Sequence, residues 1–192
     1  MDTVIRSFKD SIAVKESFLN SSDKVDAIRQ AAATMVTALR NGNRVLWCGN
    51  GGSAADAQHL AAELSGHFYF DRPPLNSEAL HCNTSYMTAV ANDYGYDYVY
   101  SRMIDGACRA GDVLVGISTS GNSTNICNAF KKARELGVIT IAMTGESGGA
   151  MKEHADILLN VPSVDTPRIQ ECHILIGHII CEIVESQMFE RV

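Results

Sequence analysis

The chain has 192 residues, of which 46% are hydrophobic and 20% charged, and its formal net charge is −6 at neutral pH. That is enough apolar material for a sizeable core and too little charge for a disordered chain. The acidic balance argues against broad electrostatic binding to nucleic acid or an anionic membrane, so an anionic ligand must be caught locally. The first predicted elements are two helices, about Val4–Asn20 and Asp23–Arg40, with no strand between them and Asn41-Gly42 closing the second. Ile28, Ala31, Ala32, Met35, Val36 and Leu39 give the second helix a core-facing stripe, whereas the weaker first helix needs a partner to cover it. Short apolar runs then alternate with helices: a strand at Val45–Cys48, a helix over Ala54–Leu64, a strand near Ala79–Cys82, and helical stretches around Ser85–Ala91 and Tyr98–Ala107. Next come a strand at Val113–Ile117, a helix over Asn125–Leu136, a strand at Val138–Met143, a short helix near Ala150–His154, a strand at Ile157–Val161 and a long helix, about Arg168–Met188. Five strands separated by helices read as an α/β fold, a parallel sheet covered on both faces with its ligand crevice at the carboxyl ends of the strands.

One domain over residues 1–192 is expected, a helical arm (1–42) followed by the α/β sandwich (43–192). The cysteines Cys48, Cys82, Cys108, Cys127, Cys172 and Cys181 are scattered without a CxxC pair and read as reduced, buried thiols rather than a disulfide framework or a thiolate zinc site. No stretch approaches the roughly 20 apolar residues of a membrane span, and the N-terminus lacks a signal-peptide pattern, so the expected location is cytoplasmic with no membrane partner.

Two loops carry the first chemical signal. Val113–Ile117 runs into Ser118-Thr-Ser-Gly-Asn-Ser123, where hydroxyls of Ser118, Thr119, Ser120 and Ser123, loop amides and the positive end of the next helix can hold a phosphate without a basic side chain. Taken alone, such a cluster caps a helix more often than it binds a ligand. The first strand ends in Gly49-Asn-Gly-Gly-Ser53, whose glycines permit close backbone approach to a ligand. Neither the dinucleotide fingerprint nor the P-loop is present, so nucleotide readings lose their main support.

His59 and Glu63, four residues apart, lie about 40° apart on one helix face, where they can share a metal, act as an acid–base pair or form a solvated polar stripe. The last helix carries Gln170, Glu171, His173 and His178 in an apolar run. A buried His178 needs a partner, which a hydrogen-bonded core position also supplies. Gln170 and His178 are separated by about 80° of rotation but about 12 Å of helix axis, which makes His173 the competing ligand.

With Asn92-Asp93 and Arg168-Ile-Gln-Glu171 added, these motifs resemble the bacterial phosphoheptose (sedoheptulose 7-phosphate) isomerases of the sugar isomerase, or SIS, fold group, over nearly the whole chain. The resemblance implies a three-layer, flavodoxin-like α/β/α sandwich with a five-stranded parallel sheet, assembled as a homotetramer with active sites between subunits. It implies conversion of D-sedoheptulose 7-phosphate to D-glycero-D-manno-heptose 7-phosphate through an enediol, the first step toward activated heptoses for lipopolysaccharide or related surface glycans. Glu63 is then the base and His178 the acid that also assists ring opening. One zinc ion per subunit is held by His59, Glu63, Gln170 and His178. The phosphate sits in Ser118, Thr119, Ser120 and Ser123, and Asn50, Gly51, Gly52, Asn92, Asp93 and Gln170 address sugar hydroxyls.

The main rivals are the DnaA initiator-associating proteins, non-catalytic relatives that lack the counterparts of Glu63 and His178, and isomerases of other sugar phosphates, which fit the His59/Glu63/Gln170/His178 set less well. A sugar-phosphate-sensing regulator would come with a DNA-binding segment, and none is seen. Asp165 reads as a helix-start residue, the tyrosines 94, 96, 98 and 100 as an interface or crevice wall, and Phe68–Pro74 as a lid or linker.

Overall fold

A computed structural model describes residues 2–190. Helices α1 (Thr3–Leu19) and α2 (Ser22–Arg40) come first. They are followed by β1 (Val45–Gly49), α3 (Gly52–Ser65), β2 (Ser77–Ala79), α4 (Thr84–Tyr94), a 3-10 turn (Tyr96–Tyr98) and α5 (Val99–Ala107). The rest is β3 (Val113–Ser118), α6 (Thr124–Glu135), β4 (Ile139–Thr144), a second 3-10 segment (Gly149–His154), β5 (Ile157–Asn160) and α7 (Thr166–Met188).

The sheet is parallel throughout, with order β2-β1-β3-β4-β5, the flavodoxin-like arrangement. Alternation within the strands makes two cores. Val45 and Trp47 of β1 with Val113, Val115 and Ile117 of β3 face α2, α3 and α7, while Leu46, Cys48 and Leu114 face α4, α5 and α6. From β1 the chain steps to one side of the sheet and from β3 to the other. The loops after β1 and β3 therefore diverge over adjacent strand ends and leave a crevice there.

The structure departs from the sequence reading in three places. Cys82, expected to be buried, is exposed in the loop after β2, and Cys108 is half-buried at the end of α5. The short helix near Ala150–His154 is a 3-10 segment, and one strand is displaced. The strand expected at Ala79–Cys82 runs instead over Ser77–Ala79, in register from Val45↔Ser77 to Trp47↔Ala79. The Trp47 indole donates to Ser77 Oγ at 2.9 Å and fixes that register. The Leu80 amide then reaches the Trp47 carbonyl at 2.9 Å and the chain turns, so the apolar Leu80 is a buried loop anchor and not a strand centre.

Helix α1 packs poorly on its own chain. Phe18 is its buried residue, while Val4, Ile5, Phe8 and Ile12 stand open, Phe8 at 69% exposure. Helix α7 is the opposite case. Ile169, Cys172, Ile176, Ile180 and Val184 form a buried stripe at helical spacing. His173 belongs to this stripe: it is fully buried, and its Nε2 donates to the Thr144 carbonyl at 3.1 Å. Its Nδ1 has no partner, so a proton added there would sit in the core with no acceptor, and burial pushes the imidazole down to about 4. His173 is thus turned toward β4 and away from the other histidines.

A pH effect on stability follows. The folded His173 stays neutral while the unfolded one protonates near its ordinary value, so the unfolded state binds more protons and stability falls as pH drops from about 6.5 to about 4, by about 3 kcal/mol. His81, also held low by burial, adds in the same direction. Urea midpoints at neutral and mildly acidic pH should show this loss, and a folded His173→Gln variant should show less of it. An equal loss in the variant would remove His173 as the source.

Candidate active site

Helices α3 and α7 lie side by side and run parallel, as three approaches show. Gly52 abuts Gln170, His59 meets His178, and Leu60 meets Gly177. The last of these favours glycine, because a Cβ at position 177 would lie 2.3 Å from Leu60 Cδ1 and the buried Leu60 side chain would have to shift. Closing the helices this far brings the His178 and His59 Nε2 atoms to 3.0 Å, with Glu63 Oε1 2.9 Å from His59 Nε2. The ligand atoms of His59, Glu63 and His178 all lie within 4.8 Å of one another. Two ring nitrogens and a carboxylate on a half-open face are an N/O donor set of the kind zinc takes.

Gln170 lies at another level of the same helix pair. A Cβ on Gly52 would be 2.7 Å from its Nε2, which places the amide against the glycine loop, about two turns of α7 before His178. Gly51 caps α3 with φ 55, a conformation that favours glycine and that lets the loop turn into the helix over the end of β1. The buried Tyr100 hydroxyl donates to the Gly49 carbonyl and holds the start of the same loop.

In the loop after β3, Ser118 Oγ lies 2.9 Å from Ser123 Oγ and 3.5 Å from Ser120 Oγ, so three of the predicted hydroxyls converge. Ser123 is the N-cap of α6 without making a side-chain cap bond, which leaves its hydroxyl within the loop and the first amides of α6 unpaired by it. The Thr119 carbonyl accepts from Gly145 and fastens the loop to the end of β4. Asn92 and Asp93 are exposed at the end of α4, where Asn92 Nδ2 donates to Asp93 Oδ1 at 2.9 Å. Asp165 is an exposed N-cap of α7 whose side chain makes no cap bond.

The family model described as the SIS domain matches residues 8–145. A phosphoheptose isomerase from Mycobacterium tuberculosis (strain ATCC 25177 / H37Ra) is 57% identical over 182 residues, 95% of this chain and 93% of that one. The chain belongs to the phosphoheptose isomerase family. Two solved structures agree. A phosphoheptose isomerase from Neisseria gonorrhoeae matches with a TM-score of 0.89 at 46% identity, covering 95% of this chain and 97% of that one. Another from Francisella tularensis matches with a TM-score of 0.92 at 40% identity, covering 96% of this chain and 97% of that one.

On this phosphoheptose isomerase scaffold, the residues around the triad include several that sequence reasoning passed over. Asp56 sits one turn before His59 on α3, half-buried; burial pushes its carboxyl up, and the imidazoles of His59 and His178 pull it back. Its i,i+3 spacing to His59 was the available signal. The Phe68 ring packs against His178 with centroids 5.7 Å apart, and its backbone amide donates to Glu185 at 2.8 Å. Asn125 and Tyr96 reach Asn50 from α6 and from the 3-10 turn. Tyr96 belongs to the tyrosine run read from sequence as an interface or crevice wall, whereas nothing in the local pattern marked Asn125.

Proposed function

We propose that this protein is an aldose–ketose isomerase that converts D-sedoheptulose 7-phosphate to D-glycero-D-manno-heptose 7-phosphate. The observation that carries the reading is the convergence of a carboxylate, Glu63, with two imidazoles, His59 and His178, on paired helices that leave the ligand crevice of a phosphoheptose isomerase fold. The reaction moves one proton from C1 to C2 of the open-chain sugar and one from the C1 hydroxyl to the C2 oxygen. Glu63 takes the carbon proton and returns it to the neighbouring carbon, and His178 gives a proton to the C2 oxygen and recovers one from the C1 hydroxyl. His59, within 3.0 Å of both, orients the pair. The Ser118–Ser123 loop and the N-terminus of α6 anchor the phosphate, while Asn50–Gly52, Asn92, Asp93 and Gln170 meet the sugar hydroxyls.

His59, Glu63 and His178 would hold a zinc ion; Gln170, which the family resemblance adds as a fourth ligand, would have to swing its amide from the glycine loop toward them. Such an ion supplies Lewis-acid polarisation of the carbonyl. The active form in this reading is a cytoplasmic homotetramer with sites between subunits. It is supported by the uncovered apolar face of α1 and by an apolar groove of about 410 Å³ between α1, α2 and α7, lined by Phe18, Ile28, Leu175 and Ile179. Among the described residues no helix is long and apolar enough to cross a membrane.

The deciding experiment incubates the purified protein with sedoheptulose 7-phosphate and follows ketose-to-aldose conversion by NMR, before and after chelation and zinc readdition. Conversion that chelation stops and zinc restores is the expected result. Conversion indifferent to chelation would keep the isomerase and remove the ion, and a folded protein that converts nothing would favour a non-catalytic binding role. Ser120→Ala should weaken inhibition by inorganic phosphate about 10- to 100-fold, for the loss of one hydrogen bond to a charged group, with little change in Tm. Unchanged inhibition would take Ser120 out of the phosphate site.

A further inference from the structure

Asn50 and Asn125 face each other as a reciprocal amide pair. Asn50 Nδ2 donates to Asn125 Oδ1 at 2.9 Å, and Asn125 Nδ2 donates back to Asn50 Oδ1 at 2.9 Å. Each oxygen has a second donor: Tyr96 Oη to Asn50 Oδ1 at 3.1 Å, and the Ile126 backbone amide to Asn125 Oδ1 at 3.0 Å. Both side-chain carbonyls are therefore filled, and one N–H on each amide is all that remains for a ligand. Asn125 is 3% exposed, so its amide is committed to this node and does not form part of the open surface.

The node joins three crevice segments that the backbone leaves separate. Asn50 lies in the glycine loop from which α3, the helix of His59 and Glu63, departs. Asn125 lies in the first turn of α6, directly after the phosphate loop, and Tyr96 lies in the turn that follows Asn92 and Asp93. We propose that Asn125, with Tyr96, is a positioning residue for the isomerisation. In this role it locks the glycine loop to the phosphate helix, so that a sugar anchored by its phosphate presents its reacting carbons to Glu63 in register. The inference rests on the isomerase reading above and adds a residue to it. It also changes the role of Asn50, whose side chain serves chiefly the loop and whose backbone is left to meet the sugar.

Asn125→Asp tests this with one atom changed. The new carboxyl keeps both acceptor contacts, loses the donor to Asn50 Oδ1 and sets oxygen against oxygen. Misplacing a reacting group by about 1 Å costs on the order of 100-fold, so kcat on sedoheptulose 7-phosphate should fall by about 30- to 100-fold near pH 8, while the Ki for inorganic phosphate stays within about twofold. A fall in kcat with an unchanged phosphate Ki is a split that simple destabilisation would not produce. Tyr96 is 51% exposed, so Tyr96→Phe should keep its Tm while losing about 3- to 10-fold in kcat, the size of one neutral hydrogen bond. It serves as the test even where Asn125→Asp does not fold.

A folded Asn125→Asp with kcat within twofold of wild type, or Tyr96→Phe with full kcat, would overturn the proposal. So would a phosphate Ki that rises as far as kcat falls, because the node would then belong to the phosphate anchor itself. A wild-type protein inert toward sedoheptulose 7-phosphate would sink the isomerase reading and this inference with it, whereas an active wild type with unaffected variants sinks this inference alone.

Discussion

Replacing Glu63 with glutamine is expected to give a folded protein that still binds the sugar phosphate and turns it over about 10²- to 10⁴-fold more slowly, the usual contribution of a positioned general base. The amide keeps the shape of the carboxylate, and its oxygen can still accept from His59, whose Nε2 lies 2.9 Å from Glu63 Oε1. What it cannot do is take a proton from carbon. Affinity for the sugar phosphate should change little, because the proposed phosphate anchor is the Ser118–Ser123 loop and not α3. Calorimetric binding of sedoheptulose 7-phosphate, Tm and NMR turnover measured together separate the terms. Near-normal kcat would remove Glu63 as the base, and lost affinity with normal kcat would make it a binding residue.

Much of the fold is legible along the chain because period and punctuation agree. Val113–Ser118 is a strand buried on both faces, and its sequence is a near-continuous apolar run. Asn41-Gly42 closes α2 as a helix C-terminus should. Strand β2 was misplaced because its register depends on Trp47 and Ser77, 30 residues apart, while the stronger local hydrophobic signal at Leu80 marks a loop anchor. The same division holds in the site. His59 and Glu63 share a helix face by spacing alone, and the hydroxyl loop announces itself by composition. That His178 meets His59 follows instead from how closely α3 and α7 approach at Gly177, a packing fact with no counterpart in spacing along α7. The pairing of Asn50 with Asn125 bridges 75 positions, and no window along the chain contains both.

The Phe68–Pro74 segment shows what such long-range contacts do. Arg72 and Glu185 form an ion pair at 3.0 Å with both side chains 1% exposed. Arg72 also donates to the carbonyls of Glu63, Leu64, Gly66 and Pro73, so it satisfies the open C-terminal carbonyls of α3 and sits at the negative end of its dipole. Glu185 accepts from the backbone amides of Phe68 and Tyr69 as well, at 2.8 and 2.7 Å, and these bonds hold its carboxyl below the ordinary range despite burial. A segment read from sequence as a lid or linker is thus pinned at both ends to α3 and α7. Removing one member strands the other charge in the core, so Arg72→Met should cost about 3–5 kcal/mol in urea unfolding. Replacing both, as Arg72→Met with Glu185→Leu, should recover part of that loss because no bare charge remains. Activity should not recover with stability, since Arg72 holds the backbone of Glu63 and the Glu185 bonds seat Phe68 against His178. A double variant that regains both stability and full kcat would show that the pair stabilises the fold without shaping the site; a single variant of wild-type stability would show that the pair contributes nothing to stability.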